Sequence, residues 1–219
     1  GKAFIEGVQG TGDEFLDSNH IMATAKHFIG DGGTFKGIDK GDTRISEGGL
    51  KNIHGTPYYS AFEACVQSVM ASFNSWNGVK MHGHEYLLTD VLRDQMGFNG
   101  LVVGDWNGHG EVPGCTNANC PESFNAGVDI YMAPDEWKEL YTNTVRAVKA
   151  GDISEDRLDD AVRKILTVKD RLGMLDGRKP HEYENYVGKI EHRKLAREAV
   201  SKSLVLLKNN DNLLPLDST

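Results

Sequence analysis

The sequence is poor in several features that define whole classes of protein. Among its 219 residues only 3 are cysteine and 6 are proline, and the formal net charge is −8. With no compensating cluster of Lys and Arg, this acidic balance argues against a nucleic-acid partner, because phosphates would be repelled. No apolar run approaches the ~20 residues of a bilayer-spanning helix, so we expect no membrane span. Hydrophobic residues make up 39% and glycine contributes 25 residues, which indicates a loop-rich architecture.

The three cysteines fall into one isolated residue and one pair that is close in sequence. Cys65 lies in a helix-like stretch, 61–70, and we expect it to be a small buried apolar residue. Cys115 and Cys120 enclose Thr-Asn-Ala-Asn and are close enough in sequence to form a disulfide, which would indicate an oxidising compartment. Two free thiols are the alternative.

The metal-ligand residue types do not form a convincing set. No second Cys or His pair stands at ligand spacing near the cysteine loop. His82, His84 and Glu85 offer suitable atoms, but the two histidines are one residue apart in a loop-like stretch. No third ligand position is evident, and we predict no metal site.

Strand-like runs near residues 23, 70, 101 and 129 are each followed by a helical pattern. Such alternation predicts an α/β fold whose parallel sheet has right-handed crossovers. Four β/α units are half of a TIM-type barrel, which needs ~250 residues. The helical patterns lie at 46–69, 85–95, 121–127, 136–149, 154–173 and 191–207, and Gly55 and Pro57 predict that the first is broken into two pieces.

The domain organisation follows from a change in composition after residue 173. We predict the second half of a (β/α)8-type domain at 1–173, an interdomain linker at 174–190, and the start of a truncated second α/β domain at 191–219. The chain begins Gly-Lys-Ala without an initiator Met, so we expect it to be cut from something longer.

The stretch GLVVGDWNGHG, 100–110, is the centre of the sequence. Its apolar run is typical of a buried parallel strand, and Asp105 and Trp106 come at the carboxyl end, where α/β folds bind ligands. Asp105 is therefore a candidate nucleophile beside an aromatic that stacks on sugars. The alternative is an ordinary loop acid or helix cap.

A glycine-rich loop follows the Lys26–His27 pair. It reads GDGGTFKGIDKGDT and lacks the Gly-Lys-Ser/Thr ending of a phosphate loop, which argues against a nucleotide. We expect no cofactor. By itself, the Lys-His pair would more simply be a structural ion pair with a packed imidazole.

Six stretches together resemble glycoside hydrolase family 3, especially its exo-acting β-glucan glucohydrolase branch. They are AKHFIGDGGT (25–34), MASFNSWNGVKMH (70–82), GLVVGDWNG (100–108), GVDIYMAP (127–134), RLDDAVRKILTVKDRLGM (157–174) and EHRKLAREAVSKSLVLLKN (191–209). They cover almost the whole chain in family order. The resemblance implies that the chain holds the C-terminal half of the family's barrel.

The resemblance also implies roles for individual residues. Asp105 matches the nucleophile of a retaining glycosidase, and Lys26 and His27 match the pair that binds hydroxyls of the non-reducing terminal sugar. A cationic Lys26 near Asp105 would favour the charged carboxylate. We therefore expect a segment of an enzyme that releases glucose from β-glucans or cello-oligosaccharides.

Further residues match the walls of the family's cleft. Trp106 matches an aromatic that flanks the sugar, and Met70 and Phe73 fall where the family lines the pocket. Related plant enzymes carry Tyr where this chain has Phe73. Because Phe73 has no hydroxyl, one possible hydrogen bond to the sugar is lost.

The resemblance places other parts of the enzyme outside this chain. The acid/base carboxylate belongs to a domain after Thr219, and the first half-barrel precedes Gly1. The remainder of the enzyme is thus an expected partner, with a β-glucoside as substrate. Glu111 and Asp31 are the tempting substitutes for the acid/base, but nothing in their sequence setting supports that role. We expect a periplasmic or secreted location.

Three alternatives stay open. The chain could belong to a β-xylosidase or a β-N-acetylhexosaminidase of the same family, or to a non-catalytic carbohydrate-binding or assembly module. The hexosaminidase branch has a histidine in the loop after its Lys-His pair. The loop here contains none, which disfavours that branch.

We predict that the isolated 219-residue chain has no useful hydrolytic activity, because acid/base catalysis and half of the pocket belong elsewhere. Incubating the purified chain with an aryl β-glucoside checks this, and steady release of the phenol would contradict it.

Overall fold

A computed structural model of the chain describes residues 1–178 and 187–216. It divides into two compact units, Gly1–Lys179 and Pro180–Thr219. Residues 179–186 of the predicted linker and 217–219 of the predicted second domain lie outside the described residues. The domain boundaries therefore stay predictions.

The first unit contains all the strands of the described residues. In chain order these are β1 (Thr24–Phe28), β2 (Asp42–Thr43), β3 (Ser68–Ala71), β4 (Ser75–Trp76), β5 (Val79–Lys80), β6 (Leu101–Trp106) and β7 (Ile130–Met132). The main sheet has the order β1-β3-β6-β7, and every neighbouring pair in it is parallel. This confirms the α/β fold with a parallel sheet. The sheet is open within the described ranges, so closure into a barrel stays a proposal.

A second, smaller sheet was missed by the sequence analysis. Strand β4 pairs parallel with β2 and antiparallel with β5, and Asn77 and Gly78 make the turn between β4 and β5 with positive φ. Two-residue strands have no periodicity to detect. This small sheet joins the glycine-rich loop after β1 to the segment after β3.

The helices cover the sheet. They are α1 (Lys2–Gln9), α2 (Glu47–Gly49), a π-helical segment (Leu50–Gly55), α3 (Thr56–Glu63), a second π-helical segment (Tyr86–Gln95), α4 (Pro121–Asn125), α5 (Trp137–Ala150) and α6 (Glu155–Arg171). In the second unit, α7 (Ile190–Ser203) has no buried residue.

The predicted break near Gly55 and Pro57 is wrong. Helical backbone runs on from α2 through the π-helical segment into α3, with Gly55 and Thr56 both right-handed. Pro57, near the start of α3, has no N–H to donate to the preceding helical turn. The Thr56 hydroxyl donates to the Asn52 carbonyl at 2.7 Å, so this carbonyl of the preceding turn has a hydrogen-bond donor.

Cys65 is exposed, not buried as the sequence suggested. It follows the end of α3 in a left-handed turn, with φ 55°. A turn residue presents its side chain outward, so the apolar character of Cys65 does not decide its burial here.

The core lies between the sheet and its helices. Phe28, Val69, Val102 and Val128 are fully buried along the sheet, together with Leu88 of the second π-helical segment. These β-branched and aromatic residues suit a strand covered on both faces. The carboxyl ends of β1, β3 and β6 emerge from this core at the same edge.

One buried amide joins three segments of the first unit. Gln9 Nε2 donates to the carbonyls of Ala64 at 3.4 Å and Cys65 at 3.0 Å. Its Oε1 accepts from the backbone N–H of Ala23 at 3.1 Å and of Gln67 at 3.2 Å. The end of α1 is thereby tied to the approach to β1 and to β3.

Asp129, just before β7, is a buried ionic centre. Its side chain is 0% exposed and contacts Arg93 Nη2 at 2.6 Å and Arg157 Nη2 at 2.9 Å. It also accepts from the Val102 N–H at 2.8 Å. One carboxylate therefore connects β6 to the helices that carry the two arginines.

We predict that Asp129→Asn lowers the free energy of unfolding by about 3 kcal/mol, because it removes the buried carboxylate that lies between Arg93 and Arg157, and among the described residues Arg157 then keeps only the partly exposed carboxylate of Asp160 at 3.4 Å. Urea denaturation of the variant measures this. The matched control is Asp156→Asn on the exposed face of α6, expected to change stability by at most about 0.5 kcal/mol. Equal losses in the two variants would contradict the prediction.

Candidate active site

Two irregularities of strand register shape the edge where the site candidates lie. In β6, Gly104 and Asp105 lie opposite the single residue Tyr131, because the register shifts between Val103 and Trp106. An extra residue on one strand is a β-bulge, which re-aims a side chain and frees backbone groups from the ladder. Asp105 therefore leaves the sheet at a bulge.

The second irregularity lies in β1. Lys26 and His27 lie opposite the single residue Met70 of β3, because the register shifts between Ala25 and Phe28. The pairing between β3 and β6 is regular. Both irregularities thus fall on the residues that the sequence singled out.

Asp105 and His27 meet although their strands are not neighbours. His27 Nε2 lies 3.4 Å from Asp105 Oδ2, across the end of β3. The other ring nitrogen, Nδ1, lies 3.1 Å from Asp31 Oδ2, so the imidazole sits between two carboxylates. The Trp106 N–H donates to Asp105 Oδ1 at 2.7 Å. Asp105 is 16% exposed, which leaves part of its carboxylate accessible to a ligand.

Lys26 precedes His27 on β1 and lines a cavity beside it. Within the described residues the ionic contact of Asp105 is with His27, and Lys26 is not among its ion-pair partners. Lys26 is exposed and lines an open cavity of about 650 Å³ with His27, Asp31 and Tyr58. Asp105 is not part of this cavity lining.

The expected cleft residues lie around the same edge. Trp106 is 60% exposed at the end of β6, and Met70 is half-buried on β3. Phe73 is half-buried, with Lys40 Nζ 4.4 Å from the centre of its ring. The edge therefore presents two aromatic rings, of which Trp106 is the more exposed.

Glu111 is held as an anion. Lys40 Nζ lies 3.1 Å from one oxygen and Lys80 Nζ 3.5 Å from the other. The hydrogen bond from Lys40, supported by both lysine charges, lowers the pKa of Glu111 below its ordinary value, against the opposing effect of burial. An ionised carboxylate cannot supply a proton, so Glu111 is unsuited to act as a general acid.

The loop after β1 is fixed by a buried polar network. Asn74 Nδ2 donates to Thr43 Oγ1 at 3.1 Å and to the Ile29 carbonyl at 3.3 Å. The Thr43 hydroxyl donates to the Gly30 carbonyl at 2.7 Å. Gly30 has φ +92°, and an added Cβ would contact Leu50, Thr43 and Asn74 at 3.2–3.3 Å. The network holds the loop that carries Asp31.

His82 contacts the site and was missed by the sequence analysis, which considered it only as a metal ligand. Its ring is buried, and Nε2 accepts the backbone N–H of Asp105 at 2.8 Å. His84 instead lies beside the rings of Trp76 and Tyr86, with centroids 5.6 and 6.4 Å away. The two histidines therefore have separate surroundings, and no sequence signal connected His82 with β6.

The structure joins Cys115 to Cys120 by a disulfide. The enclosed loop contacts the segment after β6, because His109 Nε2 is 2.8 Å from the Asn117 carbonyl. The Tyr131 hydroxyl donates to the Cys120 carbonyl at 2.5 Å. The disulfide loop thus supports the backbone that follows Asp105.

Comparison with known proteins places these features in a family context. The model of the glycosyl hydrolase family 3 N-terminal domain matches residues 1–168. An exo-1,3/1,4-β-glucanase from a Pseudoalteromonas species has a similar structure, with TM-score 0.92, 51% identity, and coverage of 98% of this chain and 28% of that one. A β-xylosidase of Formosa agariphila is 40% identical over 99% of this chain and 32% of its own length.

A periplasmic β-glucosidase of Salmonella typhimurium is 32% identical over 99% of this chain and 29% of its own length. The chain thus spans less than a third of the length of these curated relatives. Among the helices in the described residues, none has the length and apolar character to cross a membrane.

Proposed function

The chain belongs to glycosyl hydrolase family 3, and from that premise we propose that it supplies the nucleophile, Asp105, of a retaining β-glucosidase or exo-β-glucanase. The observation that supports this most strongly is the carboxylate at the β6 bulge, 3.4 Å from His27 and partly exposed. A buried structural acid would lack that accessibility. Asp129, with 0% side-chain exposure, is the contrasting case.

The proposed reaction has two steps. A carboxylate oxygen of Asp105 bonds to the anomeric carbon while the glycosidic C–O bond breaks and the departing oxygen takes a proton from an acid. Water then attacks the same carbon and releases Asp105. Retaining enzymes hold the two carboxyl groups ~5–5.5 Å apart. We propose that the acid/base group comes from the remainder of the enzyme, since Glu111 is held as an anion.

His27 and Lys26 are proposed to bind hydroxyls of the terminal sugar. His27 lies against Asp105 and Asp31, so a hydroxyl bound by its ring would lie next to the attacking carboxylate. Such hydrogen bonds contribute to rate when they strengthen as positive charge develops on the sugar ring. Trp106, exposed beside Asp105, is proposed as the stacking surface, and Met70 and Phe73 as pocket walls.

A glucoside is the proposed substrate, and a xyloside is the second candidate. The 51% identical structure is an exo-1,3/1,4-β-glucanase, whereas the 40% identical relative is a β-xylosidase. Both sugars fit the same reaction, since xylose lacks only the hydroxymethyl group of glucose. We propose a periplasmic or secreted location, supported by the disulfide and by the periplasmic relative.

We predict that Asp105→Asn, in the longer protein that carries this chain, lowers kcat on an aryl β-glucoside on the order of 10³-fold or more, because the amide cannot form the glycosyl ester. Stopped assays of the released phenol measure the loss. Asp156→Asn, an exposed change of the same type on α6, is the control and should keep full turnover.

Two further results would decide the assignment. Azide added to Asp105→Gly should yield the α-glucosyl azide, because a small anion occupies the place of the missing carboxylate. Unchanged turnover in Asp105→Asn would contradict the proposal and favour a non-catalytic carbohydrate-binding or assembly module.

We predict that nitrophenyl β-glucoside has a kcat/KM at least about 10-fold above that of nitrophenyl β-xyloside, since a pocket that fits the hydroxymethyl group gains ~1–3 kcal/mol from it. Parallel assays of the longer protein, with nitrophenyl β-N-acetylglucosaminide as a third substrate, measure the ratio. A higher value for the xyloside would replace the glucosidase assignment with the xylosidase one.

A further inference from the structure

His82 contacts the proposed nucleophile through the backbone and not through the carboxylate. The bulge at Gly104 and Asp105 takes the Asp105 N–H away from regular pairing with β7. That N–H donates to His82 Nε2 at 2.8 Å. A buried N–H without an acceptor destabilises the folded protein, so the imidazole makes this bulge tolerable in the protein interior.

The ring of His82 is itself held in one orientation and one tautomer. It is 2% exposed, and the Phe73 ring lies beside it with centroids 5.9 Å apart. Because Nε2 accepts a hydrogen bond, it carries no proton, and the proton of the neutral ring is therefore on Nδ1. Burial lowers the pKa of His82 to about 4, so the ring is neutral near pH 7 and can accept.

Two glycines lie against the ring of His82, Gly104 on β6 and Gly108 in the turn that follows β6. A Cβ added to Gly108 would come within 2.3 Å of His82 Cε1 and Nε2, which no real Cβ tolerates. A Cβ on Gly104 would lie 3.4 Å from the ring, in ordinary contact. The absence of a side chain at Gly108 lets an imidazole reach the backbone of Asp105.

We propose that His82 is a positioning residue for Asp105, whose imidazole accepts the N–H freed at the β6 bulge and thereby fixes the direction in which the carboxylate leaves the strand. The inference rests on the proposed role of Asp105 as nucleophile. His82 is 2% exposed, so its proposed effect on the reaction passes through Asp105 and not through direct contact with a sugar. A misplacement of about 1 Å at a reacting group can cost 10²-fold in rate, which makes such support important.

The test uses the longer protein and a 2,4-dinitrophenyl 2-deoxy-2-fluoro-β-glucoside, which traps the glycosyl-enzyme. The leaving group needs no protonation, so the trapping rate reports attack by the nucleophile. His82→Leu removes the acceptor at similar volume, and His82→Gln keeps an acceptor near the same place. His84→Leu is the matched control, because its ring lies against Trp76 and Tyr86 and not against β6.

We expect His82→Leu to lower the trapping rate about 10- to 100-fold, with His82→Gln recovering much of the loss. Binding of glucose as an inhibitor should change by less than about 3-fold, because the sugar-binding side chains stay in place. His84→Leu should trap at the normal rate. If His82→Leu does not fold, Gly108→Ala provides the test, since its Cβ displaces the ring without changing His82.

A normal trapping rate in His82→Leu would overturn the inference. Loss of glucose binding in proportion to trapping would also overturn it, because that pattern indicates general damage to the site. Peptide mapping of the trapped wild-type protein separates this from the proposed function. A label on a residue other than Asp105 refutes the nucleophile assignment itself, whereas a label on Asp105 with unaffected His82 variants refutes only the positioning role.

Discussion

The contact between Asp105 and His27 depends on side chains reaching across a strand. Neighbouring strands lie ~4.8 Å apart, so residues on β1 and β6, separated by β3, have backbones ~10 Å apart. A 3.4 Å contact between their side chains is reached over the end of β3. The register irregularities of β1 and β6 fall on these residues. The pairing of β3 with β6 is regular, so β3 holds a constant position between the two contacting side chains.

Asp105 and Asp129 show that residue type does not determine role. Asp105 follows a buried strand and keeps part of its carboxylate accessible. Asp129 precedes the next strand, and two arginines and a backbone N–H occupy its oxygens. A carboxylate that is fully buried between charged partners holds elements together, whereas one that stays partly exposed can meet a ligand.

The sequence was sufficient for the four strands of the main sheet, but not for the smaller sheet or for the register irregularities of β1 and β6. The apolar runs that contain Val69 and Val102 are buried on both faces, so their composition identifies them as parallel strands. A bulge has no composition of its own, because it arises when two strands of different local length pair. The contact between His82 and Asp105 joins residues 23 apart in sequence, and only the fold brings them together. Lys26 was expected beside Asp105, but its neighbour His27 makes that contact.

The buried amide of Gln9 has a consequence for dissecting this protein. Four backbone groups from two segments, residue 23 and residues 64–67, bond to this one side chain of α1. A circular permutant or a split protein can have its new terminus between residues 9 and 23. The chain is then cut between α1 and β1, and the hydrogen bonds of Gln9 still link the two sides of the cut. Such a cut tests whether the hydrogen bonds of Gln9 alone can hold α1 in its native position against β1 and β3.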